Sequence, residues 1–203
     1  MQALELLSKL QADRDFVELS ALDNVIIDLK YASCENFMRK NLYGEFNRAF
    51  LHRIAYAKLE KVLVTMLAEY PGWKLKIFDT SRPRYVQSAM WSWLENSPEQ
   101  RYLADPEQGS IHSYGFAVDL SMVDQSNLEL DMGTAFDAFS PLSEPRHESR
   151  FMHEGKLSKE QLANRLILRK IMTQAGFSQL PIEWWHYDAL PADEVRRNYT
   201  TID

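Results

Sequence analysis

The chain carries one cysteine, Cys34, in 203 residues. No intramolecular disulfide can form, no second thiol completes a metal pair, and the composition suits a reducing compartment. Cys34 lies in the polar run Ala32-Ser33-Cys34-Glu35-Asn36, with nothing nearby to activate it, and reads as a bystander. Positive charge is also short. The 23 Lys and Arg stand against 29 Asp and Glu, a net charge of −6. With no basic run, this argues against nucleic acid as the main partner. No segment approaches the roughly 18 to 20 apolar residues of a membrane span. Met1 to Phe16, interrupted by Glu5, Lys9, Asp13, Arg14 and Asp15, reads as a short amphipathic helix and not as a signal peptide. Cytoplasm is therefore the expected compartment. The seven glycines and eight prolines are scattered as turn punctuation, without a repeat, a low-complexity tract or a flexible linker. One domain over residues 1–203 is the economical organisation.

What is present is an ordinary globular pattern, with 45% hydrophobic and 26% charged residues. Val25 to Tyr31 is rich in β-branched residues and predicts a strand. From Asn47 to Tyr70, Leu51, Ile54, Ala55, Leu59, Val62, Leu63, Met66, Leu67 and Tyr70 recur at three- and four-residue intervals. This predicts a long helix ended by Pro71-Gly72. Trp73, Leu75 and Ile77 alternate with Lys74 and Lys76, as in a half-buried strand. A helix is expected over Arg84 to Glu95. Another is expected over Ser158 to Ala175, with Ser158 and Gln161 as a capping box and Gly176 just past its end. Leu162, Leu166, Ile167, Met172 and Ala175 would form its buried face. Asp124 to Leu157 is too long for an idle loop and is expected to shape a site. Strands and helices do not alternate regularly, so the expected class is α+β, with helices packed on one small, mainly antiparallel sheet.

Two short stretches carry the chemistry. Ser110-Ile111-His112-Ser113-Tyr114-Gly115-Phe116-Ala117-Val118-Asp119 offers a histidine and a carboxylate. Glu183-Trp184-Trp185-His186-Tyr187 offers another of each. Two His and one Asp complete the protein ligands of a catalytic Zn²⁺ and leave a fourth position open. The remaining carboxylate is then free to act as a base on water. Alternation after Gly115 sends Asp119 away from the face of Phe116, Val118 and Leu120. Glu183 and His186 would face opposite sides of a regular strand, so a bulge or a strand end must intervene. On spacing alone, a metal site and a pair of hydrogen-bonded buried histidines fit equally well. His52, beside Arg53, reads as a solvated residue on the polar side of its helix, and His147 and His153 as solvated loop residues.

The pattern Ser-x-His-x-x-Gly-x-Ala-x-Asp followed by Glu-x-Trp-His resembles the zinc D-alanyl-D-alanine dipeptidases of the vancomycin-resistance type. Asp28-Leu29-Lys30-Tyr31-Ala32 with Asn36-Phe37, Ser81-Arg82-Pro83, Met132-Gly133-Thr134 with Phe136-Asp137, and Asn164-Arg165 to Gly176-Phe177 extend the likeness across residues 25 to 190. The two zinc motifs alone are shared with a wider superfamily of peptidoglycan carboxypeptidases and endopeptidases. The resemblance implies that His112, Asp119 and His186 hold Zn²⁺. It implies that Glu183 is the general base that later protonates the leaving amine, and that Arg82 stabilises the oxyanion of the tetrahedral intermediate. It further implies that Ser110 and Asp137 help clamp the ammonium group of a small D,D-dipeptide. Taken by themselves, Arg82 could be a surface ion-pair residue, Asp137 a turn acid, Ser110 a backbone cap and Tyr114 a core or interface aromatic. The likeness departs at Ser81, where the family usually carries an aromatic, Tyr in particular. Two other readings stay open: a peptidoglycan D,D-carboxypeptidase or L,D-endopeptidase, and a zinc-binding module without catalysis. Oligomeric state has no signature in the sequence.

Overall fold

The computed structural model describes residues 2–203. Helix α1 spans Gln2–Ala12, so Met1 of the expected N-terminal helix lies outside the described residues. Strand β1 (Phe16–Glu18) and strand β2 (Val25–Ile27) follow. The extended run is thus shorter than its β-branched composition predicts, and Lys30–Ala32 forms a 3-10 turn that buries Tyr31. Strand β3 (Phe50–His52) pairs antiparallel with β1 in a two-stranded sheet.

Helix α2 is Arg53–Glu69. It begins six residues later than the periodicity suggests, because Phe50, Leu51 and His52 are all buried as a strand. His52 corrects a second expectation. It is 5% exposed, stacks on Phe116 at 4.3 Å, and its side chain caps α2 by accepting from the Ile54 amide. Capping satisfies an amide that the first helical turn leaves without a partner.

The main sheet runs β2–β4–β5–β7–β6. Here β4 is Lys74–Asp79 and β5 is Ala117–Val123. The two-residue β6 is Ser178–Gln179, and β7 is His186–Asp188. β2 and β4 pair in parallel and the other three pairings are antiparallel. The expected α+β class holds. β5 is central and buried along its whole length. Leu75, Ile77, Val118, Leu120 and Met122 from the sheet join Leu59, Val62 and Met66 of α2 in one continuous core.

Helix α3 (Arg84–Trp93) ends two residues before the expected Glu95. Helix α4 (Glu148–His153) lies in the long connection after β5. His153 is exposed and His147 is partly exposed, with its Nε2 3.3 Å from Glu144. Helix α5 (Lys159–Gln174) has the expected capping box, with Ser158 accepting from the Gln161 amide and Gln161 accepting from the Ser158 amide. Gly176 (φ +91°) closes its end, where the Phe177 amide reaches back to Met172 O. Its buried face is turned from the expected one. Leu168, Ile171, Met172 and Ala175 point inward with Arg165, whereas Leu166 is 47% exposed. Arg165 takes the Leu166 side's place because its Nε donates to Met132 O and Glu148 lies 3.6 Å from its Nη1. Helix α6 (Ala192–Asn198) ends the ordered elements.

Candidate active site

Asp119 and His186 are direct cross-strand partners on the central strands β5 and β7. Pairing in the sheet, with no distortion required, brings Asp119 Oδ1 to 2.9 Å from His186 Nδ1. His112 arrives on a 3-10 turn, Ile111–Tyr114, which Gly115 ends at φ +74°. Only glycine fits there. A Cβ at Gly115 would stand 2.5 Å from the Phe16 ring and 2.9 Å from His52 N. The turn then places His112 Nε2 3.2 Å from both Asp119 Oδ2 and His186 Nδ1. Glu183 precedes β7 in a tight connection, so the strand's end, and not a bulge, lets it share a site with His186. Its Oε2 is 3.9 Å from His186 Nδ1. That connection is pinned by Trp184, whose amide donates to Ser143 O and whose indole N–H donates to Thr134 Oγ1 at 2.9 Å.

The three side chains fit a metal ion. A tetrahedral ion with bonds of about 2.0–2.1 Å requires its ligands to lie about 3.3 Å apart. His112 Nε2 and His186 Nδ1 are 3.2 Å apart, Asp119 turns Oδ1 toward His186 and Oδ2 toward His112, and with one ligand atom from each residue the three lie within 4.8 Å of one another. Both histidines are also oriented from behind. His112 Nδ1 donates to Thr80 O at 2.7 Å, and His186 Nε2 donates to Asp188 Oδ1 at 3.0 Å. Each ring is thereby set in the tautomer that leaves its other nitrogen bare toward the common point. His112, Asp119 and His186 could hold one ion, and all three are buried.

Charge supports the same reading. Burial pushes Glu183 up to about 8, reinforced by the Asp119 and Asp137 carboxylates. Burial likewise pushes Asp137 up to about 7, although the Tyr31 hydroxyl, donating at 2.8 and 2.9 Å, acts against it. Such crowding of buried carboxylates is what a divalent cation compensates.

Arg82 is no surface residue. It is 6% exposed, with its guanidinium 4.9 Å from the Tyr31 ring. Its Nε and Nη2 contact Asp79 Oδ2 at 2.8 and 2.7 Å, and its Nη1 donates to Gln87 Oε1 at 2.8 Å. Burial works against its charge, but Asp79, Tyr31, Tyr43 and Asp119 together outweigh this and hold it well above the ordinary arginine range. Tyr43 in turn donates to Asp79 Oδ1. Ser81, where an aromatic was expected, donates to Phe50 O at 2.7 Å, and the aromatic support comes from Tyr31 and Tyr43 instead.

His112, Asp119, Glu183, His186, Arg82 and Tyr31 line one cleft of 160 Å³, together with Phe139, Trp185, Asp188 and Arg196 among others. That is smaller than the several hundred Å³ usual for drug-sized ligands. Asp137 joins the lining from the long connection, at φ +58°. Ser110 does not. It is buried at the start of the His112 turn, and its carbonyl accepts from the Ser113 amide, as in a backbone cap. Tyr114 is buried in the core behind the turn.

The family model for D-ala-D-ala dipeptidase (Peptidase_M15) matches residues 14–202. The chain belongs to this metallopeptidase family. It is 33% identical over 175 residues to the D-alanyl-D-alanine dipeptidase of Escherichia coli K12, covering 86% of this chain and 84% of that one. The protein of the same name from Enterococcus faecium is 30% identical over 178 residues, covering 79% and 83%. That from Enterococcus faecalis V583 is 28% identical over 184 residues, covering 82% and 86%.

Asp79, Gln87, Tyr31 and Asp188 are site residues that reading the sequence did not select. Asp188 had a signal, since His-x-Asp on a strand puts both side chains on one face. Tyr31 reaches the cleft only through tertiary packing, and Asp79 and Gln87 stand behind Arg82, three and five residues from it, without lining the cleft.

Proposed function

We propose that the chain, acting as one catalytic domain over residues 1–203, hydrolyses D-alanyl-D-alanine or a closely related D,D-dipeptide with one Zn²⁺ held by His112, Asp119 and His186. The observation that carries this is the three-ligand cluster with Glu183 beside it in a small cleft. When bound, the ion supplies Lewis-acid polarisation of the peptide carbonyl and makes water more acidic. Glu183 takes the proton from the attacking water and passes it to the leaving amine, two transfers by one carboxylate. Arg82, fixed by Asp79 and Gln87, presents permanent positive charge where the oxyanion develops. Asp137, positioned by Tyr31, accepts the substrate's free ammonium group. An N-blocked substrate would leave that carboxylate without a cation, which favours a dipeptide over a wall peptide.

Ser110, buried at the start of the His112 turn, is proposed to help Asp137 clamp that ammonium group. No helix of the described residues is long and apolar enough to cross a membrane, and the compartment we propose is the cytoplasm. The test is a panel of D-Ala-D-Ala, its L,L and mixed isomers, its N-acetyl form and a wall pentapeptide. Cleavage of the free D,D-dipeptide alone is expected. Cleavage of only the blocked or longer peptides would replace this reading with a carboxypeptidase or endopeptidase. No cleavage at all by zinc-loaded protein would leave a binding module.

A further inference from the structure

A dipeptide brings a carboxylate as well as an ammonium group, and the cleft is lined by four carboxylates, Asp119, Asp137, Glu183 and Asp188. Burying the substrate's own carboxylate there requires a cation that is not already committed. Two arginines line the cleft, Arg82 and Arg196. Arg82 is already assigned to the oxyanion above and is fixed there by its partners. Asp79 takes its Nε and Nη2, Gln87 takes its Nη1, and Asp119 lies 3.5 Å from its Nη2.

Arg196 is held differently. It sits in the last turn of α6 at the exposed rim, and its Nε and Nη2 both donate to one carbonyl, Gly109 O, at 3.2 and 3.0 Å. Among the described residues it has no carboxylate partner, whereas its neighbour Arg197 pairs with Asp193 at 2.7 Å. The carbonyl that anchors it is itself fixed. Gly109 is at φ +78°, with Tyr114 so close that a Cβ would stand 2.9 Å from its hydroxyl. A backbone carbonyl orients a guanidinium without neutralising it, which leaves Nη1 and the full charge available to a planar anion.

We propose that Arg196 binds the free C-terminal carboxylate of the substrate and so makes an unblocked C-terminus a requirement of the reaction. This rests on the dipeptidase reading above. It assigns Arg196 a role in ground-state and transition-state binding alike, not in the chemical step.

The test compares D-Ala-D-Ala with its C-terminal amide on zinc-loaded wild type, Arg196→Gln and Arg196→Lys. A charged hydrogen bond of ordinary strength predicts that wild type prefers the acid by about 10- to 100-fold in kcat/KM. In Arg196→Gln, KM for the acid should rise by about that factor with kcat little changed, while the amide is hydrolysed as before. The acid-to-amide ratio then falls toward one, and Arg196→Lys restores part of it. An unmoved ratio in Arg196→Gln, or an equal loss on both substrates, overturns the assignment while leaving the dipeptidase reading intact. Failure of the wild type to cleave D-Ala-D-Ala overturns both.

Discussion

The two sides of the cleft are built by different rules. On the metal side, Asp119 and His186 stand opposite each other on central strands, and His112 sits on a turn latched to its neighbours. Three groups there have a second partner behind them: Thr80 O for His112, Asp188 for His186, Asp79 and Gln87 for Arg82. On the substrate side, Tyr31 comes from a 3-10 turn and Asp137 from irregular chain at φ +58°, while Arg196 leans on a single carbonyl. In the proposed reading, chemistry that needs close placement is carried by the sheet and by turns braced against it, and recognition by connections that can vary more freely. Asp137, which we propose for recognition, has its carboxyl pushed up to about 7 by burial.

If this division is right, the largest effect comes from the chemical side. Glu183→Gln should lower kcat by about 10²- to 10⁴-fold. Its zinc content should stay at the wild-type level, because Glu183 is not among the ligands. Loss of zinc together with activity would make Glu183 a ligand and break the assignment.

Next is Arg82→Ala, expected to lower kcat by about 10²- to 10³-fold. It should also lower the melting temperature, because Asp79, with no exposure, is left as a buried charge without its partner. A variant with normal kcat and a lower melting temperature would move Arg82 from the reaction to the scaffold. Asp188→Asn is milder. Zinc affinity in a chelator competition should fall by about 10- to 100-fold, with kcat at saturating zinc close to wild type. Unchanged affinity would show that the Asp188 hydrogen bond does not orient His186.

The smallest effect lies on the recognition side and has the opposite sign. The Asp137 pKa is about 7 in the folded chain, against about 3.9 for an unfolded aspartate. Between these values the folded state binds more protons than the unfolded one, so this group makes stability fall as pH rises from about 4 to 7. Asp137→Asn should therefore be more stable than wild type at pH 8, by about 1 kcal/mol after allowance for solvent screening, with the gap closing near pH 4. At the same time KM for D-Ala-D-Ala should rise. Calorimetry of the metal-free proteins across this range checks the sign, and an advantage that grew toward pH 4 would contradict it.

The same division explains what could be read from the sequence. His112, Asp119, Glu183 and His186 lie in two compact segments whose strand periodicity and glycine stop are local signals. The capping box at Ser158 and the alternation over β4 are equally local. The start of α2 was hidden, because Phe50, Leu51 and His52 fit helical spacing and become a strand only when β1 lies beside them. Burial of His52 against Phe116 and of Arg165 beneath Met132 follows from contacts far apart in the chain. Asp79 and Gln87 lie only three and five residues from Arg82, and they were illegible because no helix or strand spacing links the end of β4, the connection and the start of α3.

The central claim is that one ion on His112, Asp119 and His186 makes this cleft a hydrolase. Titration of zinc into chelated protein, with D-Ala-D-Ala hydrolysis followed at each addition, tests it most directly. Activity should rise linearly and break at one zinc per chain in wild type, with His186→Ala flat throughout. Full hydrolysis by the chelated protein, or an equal response from His186→Ala, would contradict it.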